Sequence, residues 1–138
     1  MSCVLGRLGT VEVSNDGGLT YVKMGGLRDA TLNISVDELE CTSHDSGGAR
    51  EFFPNYHDIT LDFSNLWDDD DAGQSIVLLA MFAKTLFRAR FRMQVESGAK
   101  EFEAEAFATS LTAASPNDDI ASFDGTLRLS KPTLGYQA

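Results

Sequence analysis

Apolar and polar positions alternate along most of this chain. Ala30, Leu32, Ile34 and Val36 fall on one face and Thr31, Asn33 and Ser35 on the other, the period of a strand with one wet side. The apolar register then slips by one to Leu39 and Cys41, which predicts a bulge at Asp37-Glu38. Ile59, Leu61 and Phe63 alternate with Asp58, Thr60 and Asp62 in a second such strand. Residues 8–13 and 19–24 read as a short hairpin, joined by Asn15-Asp16-Gly17-Gly18, which tolerate positive φ. Near the C-terminus Ala121, Phe123, Gly125, Leu127 and Leu129 alternate with Ser122, Asp124, Thr126 and Arg128, and Pro132 is expected to close that strand, with 135–138 as a loose tail.

Residues 72–84 break the period of two. Ile76, Leu79, Ala80 and Ala83 repeat at i, i+3, i+4 and i+7 and predict one helix packed on the sheet by that stripe. Asp71 is placed to cap it, with Gln74 three residues on as in a capping box. The run Asp68-Asp69-Asp70-Asp71 suits the positive end of the helix dipole.

The hairpin that follows sets Phe87, Ala89, Phe91, Met93 and Val95 against Phe102, Ala104 and Ala106. Arg88, Arg90 and Arg92 share the other face with Glu101, Glu103 and Glu105. A loop of even length keeps charge opposite charge, and centring it on Gly98-Ala99 places Arg92 opposite Glu105, Met93 opposite Ala104 and Val95 opposite Phe102.

One stretch fits neither period. Residues 41–54, CTSHDSGGAREFFP, are too many and too polar for a plain turn, since connections have a median of about 4–6 residues. Yet Phe52 and Phe53 would be wasted in water. The reading is an arm that docks on a neighbouring copy of the chain, carried by Ser43, His44, Asp45, Ser46, Gly47, Gly48, Arg50, Glu51, Phe52 and Phe53. Strands with unblocked edges reinforce it, because head-to-tail pairing closes into a ring or runs on as a filament.

Composition adds constraints. The chain has 138 residues, so 1–138 is expected to be a single domain. A formal net charge of −10 argues against a surface that grips phosphate, and suits one past which nucleic acid slides. Cys3 and Cys41 are expected as separate thiols in a reducing cytoplasm. The longest apolar run, 76–83, is far short of the ~20 residues that span a bilayer, so no membrane partner is expected.

Candidate chemistry is thin. Ser43-His44-Asp45 has triad residue types, but sequence neighbours cannot converge as triad side chains do. Asp68 and Asp70 echo a calcium loop, but Ala72 and Leu79 stand where ligands are needed, so no metal is expected. Glu101, Glu103 and Glu105 face arginines and read as a solvated charged face rather than an acid–base pair. Neither a catalytic site nor a cofactor is expected.

The order of parts resembles the major tail protein, or tail tube, family of long-tailed bacteriophages and gene transfer agents. Residues 40–52, ECTSHDSGGAREF, are similar to that family's strand and protruding loop. The acidic run, Gln74 and the single helix resemble its middle section, and 119–127, DIASFDGTL, its closing strand. The resemblance implies a mainly β fold, a sandwich or barrel with a flanking helix and a long protruding loop. It implies six-membered rings of one chain, stacked into a hollow tube in the virion tail, with other tail proteins at its ends and DNA passing through without specific binding. The 41–54 arm would then reach the adjacent ring, residues 1–5 would add contacts, and a charged sheet face would line the lumen, with Glu101, Glu103 and Glu105 as its candidates. Two rival readings stand beside this one: a small β-barrel or sandwich that binds a ligand or protein in a groove, and the tube subunit of a type VI-like secretion system.

Overall fold

Antiparallel pairing accounts for every strand in the computed structural model, which describes residues 3, 5, 6, 9–43, 47–94, 96 and 98–136, the side chains of 131 and 132 excepted. The elements in chain order are β1 (Thr10–Ser14), β2 (Val22–Lys23), β3 (Leu27–Glu40), β4 (Phe52–Leu66), α1 (Ala72–Ala83), β5 (Phe87–Arg92), β6 (Lys100–Ala114) and β7 (Ser122–Tyr136). They form one sheet in the order β2-β1-β5-β6-β7-β4-β3. The mainly β fold with one helix is therefore as expected. Gly17 and Gly18 take positive φ in the first hairpin, the conformation that turn was expected to need. Leu8, at the start of the expected first strand, lies outside the described residues.

The sheet curls until β1 touches β3, and α1 packs against β1, β2, β5 and β6. The alternating apolar residues meet in between. Val11, Val13, Leu61, Phe63, Ala104, Ala106, Phe123 and Leu127 are buried, and Val77 and Ala80 join them from the helix. Phe123 packs with tilted Phe63 at 5.8 Å and edge-on against Trp67 at 5.5 Å. Gly125 lets β6 and Phe63 close on β7, since a Cβ there would lie 2.5 Å from Leu111 Cδ2 and 2.7 Å from the Ser110 carbonyl oxygen.

Four sequence expectations need correction. The helix is rotated: Gly73, Gln74, Val77 and Ala80 are buried, whereas Leu79 and Ala83 of the expected stripe face outward. Gly73 decides this, because a Cβ there would stand 3.0 Å from Lys23 O and Met24 Cα, a backbone approach no other residue allows. The β5–β6 hairpin keeps charge opposite charge, but Arg92 faces Glu101, Arg90 faces Glu103 and Arg88 faces Glu105. Met93 lies beyond the paired residues, and Val95 is outside the described ones. Pro132 does not end β7, which runs to Tyr136 past a register shift between the Glu105–Ser130 and Glu103–Thr133 pairs. A proline is tolerated at such an irregularity. Finally, Phe52, Phe53 and Pro54 belong to β4 rather than to the loop; Pro54 sits opposite Glu38 beside the expected bulge, between Val36 and Glu38.

Candidate functional site

The arm is built as a ribbon. β3 and β4 pair from Leu27–Asn65 to Glu40–Phe52, but β4 also pairs with β7 only from Ile59 to Leu66. Beyond that point the two strands leave the core together as a twisted hairpin with solvent on both faces. Ile34, Val36, Leu39, Phe53 and Tyr56 are exposed there, although the alternation that includes Ile34 and Val36 reads as half-buried strand. A bond from Cys41 N to Glu51 O at 2.8 Å prolongs the ribbon, and Arg50 bridges to Glu40 at 3.0 Å. Phe52 and Phe53 lie on opposite faces, as adjacent strand residues must. Arg50 covers the Phe52 ring at 5.6 Å, while Phe53 sits beside Leu39, its cross-strand partner. Ser43, Gly47 and Gly48 lie in the connecting loop; His44, Asp45 and Ser46 of the same prediction lie outside the described residues.

The ribbon is one of several unmatched strand segments. β5 covers β6 only between Glu101 and Ala106, so residues 107–114 pair on the β7 side alone. Residues 130–136 of β7 pair with β6 alone, and β3 is the last strand of the sheet. Each presents backbone N–H and C=O groups to whatever comes alongside.

The charged face is largely self-paired. Glu103 accepts from the Tyr21 hydroxyl at 2.7 Å and from Arg88 at 2.9 Å, and Glu101 accepts from Arg92 at 2.8 Å. Glu12, which sequence inspection did not single out, bridges Arg90 and Arg92 from β1. Arg90 also lies 4.0 Å above the Tyr21 ring. The Tyr21 hydroxyl, then Arg88, holds the Glu103 carboxyl below its ordinary value, and burial with the Glu103 hydrogen bond raises that of Tyr21. Farther across the same face Asp62 accepts from Thr126 at 2.7 Å and Asn33 at 3.0 Å, and Asp124 accepts from Ser64 at 2.8 Å. These partners are uncharged, so the negative potential there is not cancelled locally.

At the opposite end of β4 from the arm, Asp71 caps the helix by accepting from Gln74 N at 3.0 Å. The reciprocal half of the capping box is absent. The Gln74 side chain instead donates to Leu66 O and Gly25 O and accepts from Asp68 N. Outward, the helix shows Leu79 and Phe82, 68% and 81% exposed, beside an open cleft of about 410 Å³ lined by Ile76, Leu79, Ala83, Thr85 and Leu86. Its apolar lining was legible as composition; of the stripe expected in the core, Ala80 is buried and Ile76 packs against the core, whereas Leu79 and Ala83 line the cleft.

Among the described residues no three His, Cys, Asp or Glu side chains gather as a metal site. His57 is exposed on the ribbon opposite Val36. Cys3 and Cys41 are exposed free thiols.

The family model described as phage tail tube protein matches residues 7–133. The chain belongs to that family. It is thus a structural subunit of a tail tube, and its place is in the tail of the particle. Its fold is similar to a chain in the tail of an empty gene transfer agent particle with C6 symmetry, at TM-score 0.82 and 15% identity over 99% of this chain and 100% of the other. The SPP1 tail tube is similar at TM-score 0.79 and 9% identity, over 98% and 80%. A sheath–tube complex of an extracellular contractile injection system in the extended state is similar at TM-score 0.70 and 15% identity, over 97% and 92%. No curated protein matches. The family and these neighbours are structural proteins rather than enzymes.

Proposed function

We propose that residues 1–138 act as one unit, that six copies close into a ring, and that rings stack into a hollow tube through which DNA passes without specific binding. Other tail proteins cap its ends, and no step calls for catalysis, a cofactor or a metal. The observation that carries this reading is the ribbon together with the unmatched margins at 107–114 and 130–136, apolar or hydrogen-bonding surface that one copy leaves uncovered. The sixfold tail of the gene transfer agent supports the ring number.

The polar outer face of the sheet supplies the lining in this reading. Glu101, Glu103 and Glu105 belong to it, but the arginines beside them cancel most of their field at a distance. Asp62 and Asp124 therefore contribute more to repelling a phosphate backbone. Electron microscopy of the purified protein tests the assembly. Tubes with sixfold rings are expected; a chain that stays monomeric at high concentration defeats the proposal.

A further inference from the structure

We propose that Phe53 and Leu39, on the arm of one copy, seat in the cleft between helix α1 and the start of β5 on a copy in the next layer. The inference rests on the tube reading and names the contact that joins its layers. Phe53 and Leu39 are directly opposed on one face of the ribbon and are 59% and 55% exposed. The cleft offers matching apolar surface in Leu79, Ala83 and Leu86, all exposed and left uncovered by the described residues of their own copy.

An arm cannot fill its own cleft. Gln74 ties the helix to Leu66 at one end of β4, and Phe52 begins the strand at the other. Fourteen residues of strand separate the two by about 45 Å, and the helix itself spans only about 18 Å. The apolar pair and its receptor are thus held at a distance within a copy and brought together only between copies. Because plug and socket are different surfaces, the contact is head-to-tail and does not close on a dimer.

Charge agrees with the pairing. The ribbon carries Asp37, Glu38, Glu40 and Glu51, with Arg50 spent on Glu40. Lys84, between cleft residues Ala83 and Thr85, is exposed and has no carboxylate partner among the described residues. The acidic ribbon and Lys84 attract.

The test uses Phe53→Asp and Leu79→Asp, made separately in the full chain. Both side chains are exposed, so each variant keeps the circular dichroism and melting midpoint of the parent. Each alone loses tube formation. Mixed, they regain one contact, the intact arm of Leu79→Asp on the intact cleft of Phe53→Asp, and sedimentation shows particles of twice the mass and nothing longer. Leu86→Asp repeats the result from the other lip of the cleft. Tubes from Leu79→Asp and Leu86→Asp alone overturn the docking site while leaving the tube reading intact, and a mixture no heavier than its parts overturns the pairing. A parent chain that never polymerises overturns the tube reading beneath both.

Discussion

The side-chain amide of Gln74 donates to the carbonyl of Leu66 at 2.9 Å, joining the first turn of the helix to the last residue of β4. The same side chain serves Gly25 O at 3.1 Å and Asp68 N at 3.2 Å, and it is 4% exposed. Gln74→Leu keeps the volume and abandons three backbone groups, two of which have water as their only recourse. Since each buried group left without a partner costs about 1–3 kcal/mol, a loss of about 2–4 kcal/mol is expected in urea unfolding, with the slope unchanged.

Gly125→Ala is expected to cost about 1–3 kcal/mol, the range for forcing one extra carbon into a packed interior. The obstruction is partly backbone, since the Ser110 carbonyl oxygen would lie 2.7 Å from the new Cβ. Gly47→Ala, with nothing within 4 Å, meets no such contact and loses only the ease with which glycine holds a φ of +65°. The two midpoints in thermal unfolding should therefore separate clearly.

Stability should respond to pH at both extremes through one cluster. Glu103 is held below the ordinary carboxyl value of 4.5, so it contributes stability that is complete above that value and is lost as pH falls below it. Tyr21 is raised above 10.0, so its contribution is complete below that value and is lost as pH rises past it. Tyr21→Phe removes the largest cause of the Glu103 shift and should flatten the acid limb and abolish the alkaline one. An unaltered stability–pH curve would sink this assignment.

Cys41 lies near the outer end of the arm, its thiol 3.9 Å from the Glu51 carboxylate. In a Cys3→Ser background it should react readily with a thiol reagent in the free chain and several-fold more slowly once copies have assembled. Equal rates before and after assembly would mean that the outer end of the arm stays open in the tube.

Asp62→Asn with Asp124→Asn removes charge from the polar face while leaving oxygens to accept from Thr126, Asn33 and Ser64. Tubes of normal length are expected, with slower release of DNA from triggered particles. Release at the parent rate would place the lining elsewhere. Glu103→Lys is a poorer probe, because it also dismantles the Tyr21 and Arg88 bonds.

Alternation made the strands legible and left their alignment open. Sliding a strand pair by two residues preserves charge opposite charge, so the pattern could place Arg92 across from Glu105 as readily as from Glu101, its actual partner. Helix α1 is apolar at every position from 76 to 83, and no periodicity selects a face; the contact that does, Gly73 against Met24, is long-range. Asp71 was readable as a cap because capping is local, whereas Gln74 was drawn away by partners in β4 and the β2–β3 turn. Ile34 and Val36 showed the pattern of burial without burial in this copy. The arm was visible as an anomaly of length and polarity, but the opposite facing of Phe52 and Phe53 required the ribbon to be seen.

With the arm seated in the cleft as proposed, plug and socket stand at the two ends of one long strand and confer polarity on everything built from the subunit. Growth at one tip exposes only arms, and at the other only clefts. In the proposed tube, the proteins that start the polymer and those that stop it must therefore differ in kind.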